Sequence, residues 1–101
     1  MSLNATTRDE VLRELRLMKP ELAKRYGVSR IGIFGSLARN QVREDSDIDV
    51  VVEMTEPDLF FLVHIKAALE EQLGRPVDIV HYRERMNAYL KDHIQREAVY
   101  A

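Results

Sequence analysis

Apolar residues recur at two different spacings along this chain, and the alternation between them predicts a mixed fold. Thr7-Arg8-Asp9-Glu10 has the form of a capping box, with Thr7 able to cap and Glu10 three residues on. Val11, Leu12, Leu15 and Met18 then follow at helical spacing. Pro20 either kinks this helix or opens a second piece carrying Leu22 and Tyr26, and Gly27 is a natural stop. Residues 28–34 are apolar and partly β-branched, which predicts a buried strand ending at Gly35-Ser36. One helical turn at Leu37-Ala38-Arg39 and a polar loop over 40–46 come next. Residues 47–53 alternate, with Ile48, Val50 and Val52 on one face and Asp47, Asp49, Val51 and Glu53 on the other.

A turn with Pro57 precedes a helix over 59–73, whose stripe is Leu62, Ile65, Leu69 and Leu73, with Gly74 as its stop. Residues 77–81 read as a strand in which Val77 and Ile79 oppose Asp78 and Val80. A last helix over 86–97 is marked by Met86, Leu90 and Ile94, and Val99-Tyr100 adds a short edge strand. The expected architecture is α/β (α+β). It is a small mixed sheet of three or four strands with helices packed on one face and the other face free for chemistry.

Composition narrows the picture. The chain has 101 residues, 46% hydrophobic and 32% charged, which suits one domain over 1–101 with a core large enough to fold without staples. It contains no cysteine, so disulfides, a thiol nucleophile and Cys-ligated zinc are excluded. His64, His81 and His93 share no close ligand spacing. No uncharged run approaches the length of a membrane span, and the N-terminus lacks a signal-peptide pattern, so a cytoplasmic protein with no membrane contact is expected. The formal net charge of −2 conceals an uneven distribution. Residues 1–34 carry seven Lys or Arg against four acids, whereas residues 44–58 carry seven acids and no base. A solvated acidic loop is the plain reading of such a run. Here several of its acids fall inside a strand pattern, where carboxylates concentrate chiefly when a cation offsets their repulsion.

Strand geometry puts these acids together. Asp47 and Asp49, two apart, project to the same side at a separation of roughly 7 Å. Asp78 stands among apolar neighbours on a second strand, and it converges with them if the two strands are adjacent and in register. A divalent cation such as Mg²⁺, bound by carboxylates and substrate phosphates, would relieve the repulsion. Upstream, Gly35 lets backbone N–H groups approach a phosphate, the Ser36 hydroxyl can bond it, and Arg39 lies one turn later. Each signal alone is ordinary: Gly-Ser after a strand is usually a turn, Asp-x-Asp is often a cap, and one charge on an edge strand discourages wrong pairing. Their ordered occurrence together suits phosphoryl or nucleotidyl transfer.

Gly35-Ser36, ten residues, then Asp47-Ile48-Asp49 is similar to the GS-x10-D-x-D pattern of the nucleotidyltransferase superfamily related to DNA polymerase β. The segments IGIFGSLARNQVREDSDIDVVVEM, LGRPVDIV and LKDHIQREAVYA resemble its minimal nucleotidyltransferase (MNT) subfamily, over nearly the whole chain. The resemblance implies a polymerase β-like fold. It also implies Asp47, Asp49 and Asp78 as catalytic metal ligands, Gly35, Ser36 and Arg39 as nucleotide-binding residues, and two Mg²⁺ ions with ATP as substrate. One departure is visible: relatives often carry Gly after this Arg, where this chain has Asn40, the next best residue for positive φ.

Such proteins are typically encoded beside a HEPN-domain ribonuclease toxin. The resemblance therefore implies an antitoxin that transfers AMP from ATP to a tyrosine hydroxyl of that partner. Two alternatives stand beside this: a non-catalytic antitoxin that masks its toxin, and a nucleotidyltransferase acting on a small molecule or an RNA 3′ end. Direct DNA binding is not expected. His64 and His93 read as packing or surface residues. His81 reads chiefly as structural, with nucleotide contact as the alternative. Phe60 and Phe61 read as core and partner surface, and residues 86–101 as the region of partner contact.

Overall fold

The computed structural model describes residues 7–41 and 47–101. Helix α1 (Arg8–Tyr26) starts where Thr7 accepts a hydrogen bond from the Glu10 N–H at 3.1 Å and stops at Gly27, whose φ of 69° is left-handed. There is no second piece. Pro20 lies inside one continuous helix, because Leu15 before it and Leu22 after it belong to the same buried stripe. Strand β1 (Val28–Phe34) leads into the single turn α2 (Gly35–Ala38), which starts two residues earlier than the spacing predicts. Residues 42–46, most of the expected polar loop, lie outside the described residues.

Strand β2 (Ile48–Met54), helix α3 (Leu59–Leu73) and strand β3 (Val77–His81) form a crossover unit, so β3 runs parallel to β2. Helix α4 (Ala88–Glu97) opens at Asn87, whose side chain caps the Leu90 N–H, and leads into β4 (Val99–Tyr100). Among the described residues the strands form one mixed sheet in the order β3-β2-β1-β4, with β1 antiparallel to both of its neighbours.

Strand alternation sorts the sheet's side chains. Ile31, Ile33, Ile48, Val50 and Val52 face α1 and α3, where Val11, Leu15, Ile65, Leu69 and Leu73 complete a fully dry core. Each of these large side chains contributes roughly 1.5–3 kcal/mol on burial. The expectation of helices on one face holds for α1 and α3 but not for α4. That helix crosses from the β3 edge to the β4 edge over the opposite face, where its buried Ile94 packs on Phe34 and Val51. The reason is the i, i+4 stripe of Met86, Leu90 and Ile94, which needs an apolar surface of its own. Among the described residues no helix is long and apolar enough to cross a membrane.

Gly32 lets β4 approach. A Cβ there would lie 2.6 Å from the Val99 carbonyl oxygen and 2.9 Å from the Tyr100 ring. Gly32→Ala should therefore lower stability by about 1–3 kcal/mol in urea unfolding, by pushing β4 off the sheet. An unchanged midpoint would mean that β4 contributes nothing to the fold.

Candidate active site

The face under α4 carries the acids. In the parallel ladder Asp49 of β2 pairs directly with Asp78 of β3, so these strands are adjacent and these two acids lie side by side. Asp49 is half-buried, Asp78 is exposed on the edge strand, and Asp47 is exposed just before β2 begins. Burial raises the Asp49 pKa above its ordinary 3.8, and the negative charges of Asp78 and Asp47 raise it further. His93 and Arg39 act weakly in the opposite direction.

Gly35 abuts this carboxylate. Its φ of 74° is left-handed, and a Cβ built on it would collide with Asp49 Oδ2, so conformation and space both require glycine here. Ser36 is half-buried in the same turn. The turn is closed by bonds from Asn40 N to Leu37 O (2.9 Å) and from Gln41 N to Ser36 O (2.8 Å). Asn40 adopts φ 60°, the left-handed conformation for which asparagine is the best replacement for glycine.

The other predicted residues are placed less directly. The Arg39 guanidinium reaches across to α4, where Nη1 donates to both oxygens of Glu97 at 3.0 and 2.8 Å. His81 lies three positions beyond Asp78 on β3, at a cleft of about 530 Å³ lined also by Leu59, Leu62, Met86 and Leu90. Burial and the neighbouring Arg83 lower its pKa. His64 stacks against Tyr26 on the far side of the molecule.

His93 takes the packing role that the sequence suggests, with one contact that sequence reasoning missed. It packs edge-on to Phe34 and bonds Glu97 at 2.9 Å, beside the acids. The i, i+4 spacing of His93 and Glu97 on the last helix was the available signal, but it gives no indication of which sheet face the helix covers.

Among the described residues no three His, Asp or Glu side chains stand close enough to hold a metal ion by themselves. The donor set nevertheless suits a hard cation that takes part of its shell from phosphate oxygens. All three groups are carboxylates, and their repulsion falls on the half-buried Asp49.

A family model for the nucleotidyltransferase domain matches residues 15–101. The chain belongs to this family. Relatives of this nucleotidyltransferase include a candidate protein adenylyltransferase of Methanocaldococcus jannaschii, 49% identical over 83% of this chain and 89% of that one. The protein adenylyltransferase MntA of Thermococcus cleftensis is 37% identical over 93% of this chain and 95% of its own. A solved structure described as a candidate minimal nucleotidyltransferase is 38% identical and superposes with a TM-score of 0.69, covering 87% of this chain and 93% of that one. The MNT antitoxin complex with tri-AMPylated HEPN toxin from Shewanella oneidensis contains a chain of the same fold. Its TM-score is 0.63 at 21% identity, over 88% of this chain and 68% of that one.

The raised Asp49 pKa has a testable sign. The ionised form is disfavoured in the folded state, so this cost is fully present above the folded pKa and fades as pH falls toward 3.8. Asp49→Asn should unfold at a higher temperature than wild type at pH 7, with the advantage shrinking on acidification. A lower melting temperature at pH 7 would show that the carboxylate is stabilised in the fold, contrary to this reading.

Proposed function

We propose that this nucleotidyltransferase transfers AMP from ATP to a tyrosine hydroxyl of a partner HEPN-domain ribonuclease toxin, and thereby acts as its antitoxin in the cytoplasm. The observation that carries the chemistry is the pairing of Asp49 with Asp78 in adjacent strands, with Gly35 pressed against Asp49. The acceptor class is supported by the relatives named as protein adenylyltransferases, and the partner by the fold neighbour seen with an AMPylated HEPN toxin.

In this reading Gly35 and Ser36 bind the triphosphate through backbone N–H groups and the Ser36 hydroxyl, while Arg39 approaches a further phosphate oxygen. Asp47, Asp49 and Asp78 would hold Mg²⁺ together with phosphate oxygens. The bound metal would neutralise the charge that develops on the attacking and leaving oxygens. The tyrosine oxygen attacks the α-phosphorus, its proton passes to a carboxylate of the acid row, and the bond to the bridging oxygen of pyrophosphate breaks. The products are AMP-tyrosine and pyrophosphate. Among the described residues the row is open on its β3 side, where Asp78 is exposed, which suits a macromolecular acceptor that brings its own walls.

A second reading, neutralisation by masking alone, draws on a different feature. Leu59, Phe60 and Val63 are 79, 77 and 66% exposed beside the cleft at the β3 edge, an apolar surface suited to stable association. The two readings part at one variant: a masking antitoxin would still neutralise its toxin as Asp49→Asn, whereas a transferring one would not.

The direct test is mass spectrometry of the HEPN-domain protein encoded beside this chain, after incubation with ATP and Mg²⁺. A gain of one or more AMP masses is expected, abolished by Asp47→Asn and by chelation of the metal. Full modification by the Asp47→Asn chain would remove this residue from the metal site.

A further inference from the structure

We propose that Glu97 is a positioning residue for the nucleotide: one carboxylate on α4 holds both Arg39 and His93 beside the acid row and so aims the guanidinium at the triphosphate. This rests on the nucleotidyltransferase reading and adds to it a residue outside the GS-x10-D-x-D pattern.

The geometry is a two-to-one convergence. Glu97 Oε2 accepts from Arg39 Nη1 at 2.8 Å and lies 2.9 Å from His93 Nε2, while Oε1 takes a second bond from the same Arg39 nitrogen at 3.0 Å. Arg39 Nε is engaged by Gln41 Oε1 at 3.3 Å. A guanidinium is a rigid fork of five donors. With Nη1 and Nε taken, Nη2 is the part of the fork left for a phosphate oxygen among the described contacts.

The two partners differ in how firmly they are held. Arg39 is an exposed side chain just past a single helical turn, with many rotamers open to it. Glu97 is only 24% exposed, in the last turn of a helix anchored by the fully buried Ile94. Fixing a mobile cation to a rigid element removes ordering entropy that nucleotide binding would otherwise cost. His93 is held from two further sides, edge-on to Phe34 at 6.4 Å and stacked with Tyr89 at 6.3 Å. Phe34 is the ladder partner of Asp49, so the carboxylate of Glu97 is connected to the acid row through His93. The charges of Arg39 and His93 are both felt at Asp49, consistent with that placement.

Calorimetric titration with Mg²⁺ and a non-hydrolysable ATP analogue tests the proposal in four proteins: wild type, Arg39→Ala, Glu97→Gln and the double variant. Arg39→Ala should weaken binding on the order of tenfold, as for a lost hydrogen bond to a charged group. Glu97→Gln should weaken it severalfold, and the double variant should bind no worse than Arg39→Ala alone. In the transfer assay the loss should appear in KM for ATP and leave kcat nearly unchanged. Glu97→Asp, which keeps the charge and withdraws it by one methylene, should show the same dependence on Arg39 and guards against a folding defect of the Gln variant.

Equal losses in both Arg39 backgrounds would reduce Glu97 to a structural residue and overturn the proposal. So would tighter binding after Glu97→Gln, since Glu97 would then compete with phosphate for the guanidinium. A wild-type chain that binds no analogue removes the nucleotidyltransferase reading itself, and this proposal with it.

Discussion

The parallel pairing of β2 with β3 is the constraint on which the site depends. It places two carboxylates side by side at Asp49 and Asp78, an arrangement that a sheet does not adopt for its own stability. What holds the strands in this register lies on the opposite face. Ile48, Val50 and Val52 of β2 and Val77 of β3 are packed without solvent against α1 and α3. A slip by one residue would turn those side chains outward and bring the acids into the core. Packing on the α1 and α3 face therefore enforces the repulsion on the opposite one, and the crossover through α3 makes the parallel direction possible.

The remaining parts of the site close around this row. Gly35 lies against Asp49 because β1 is the other neighbour of β2 and ends opposite that residue, at Phe34. The left-handed Asn40 then follows a helical turn of only four residues. Helix α4 approaches from the far edge and brings Glu97 to Arg39, so α4 and the end of α2, distant in sequence, meet beside β2.

Much of this was legible in the sequence because each step rests on local physics. The periods of two and 3.6, the Thr7 and Gly27 caps, the Gly74 stop and the positive φ of Asn40 all follow from the residues concerned. The acid row was legible as a conditional, since strand alternation gives the side on which Asp47, Asp49 and Asp78 project but not which strands are neighbours. The side of the sheet that α4 covers was not legible. An amphipathic helix presents its stripe equally well to either face, and the choice follows from β4 pairing with β1 instead of β3. The engagement of Arg39 by Glu97 was hidden for the same reason, because it joins positions 58 apart through that unpredicted placement. Pro20 left two local outcomes open, a kink or a second piece, and the continuous helix that buries Leu15 and Leu22 removes the second.

The crowding of charge at Asp49 has a consequence for how such genes decay. At most positions a random substitution harms the fold, so loss of function and loss of structure accumulate together. At Asp49 the fold favours a neutral side chain, because burial and the charges of Asp78 and Asp47 disfavour its negative charge. A copy released from selection for transfer would drift there toward an uncharged side chain and become sturdier as it fell silent. Among degenerate copies of this domain, an intact core with a neutral residue opposite Asp78 would mark a gene that lost its reaction before its shape.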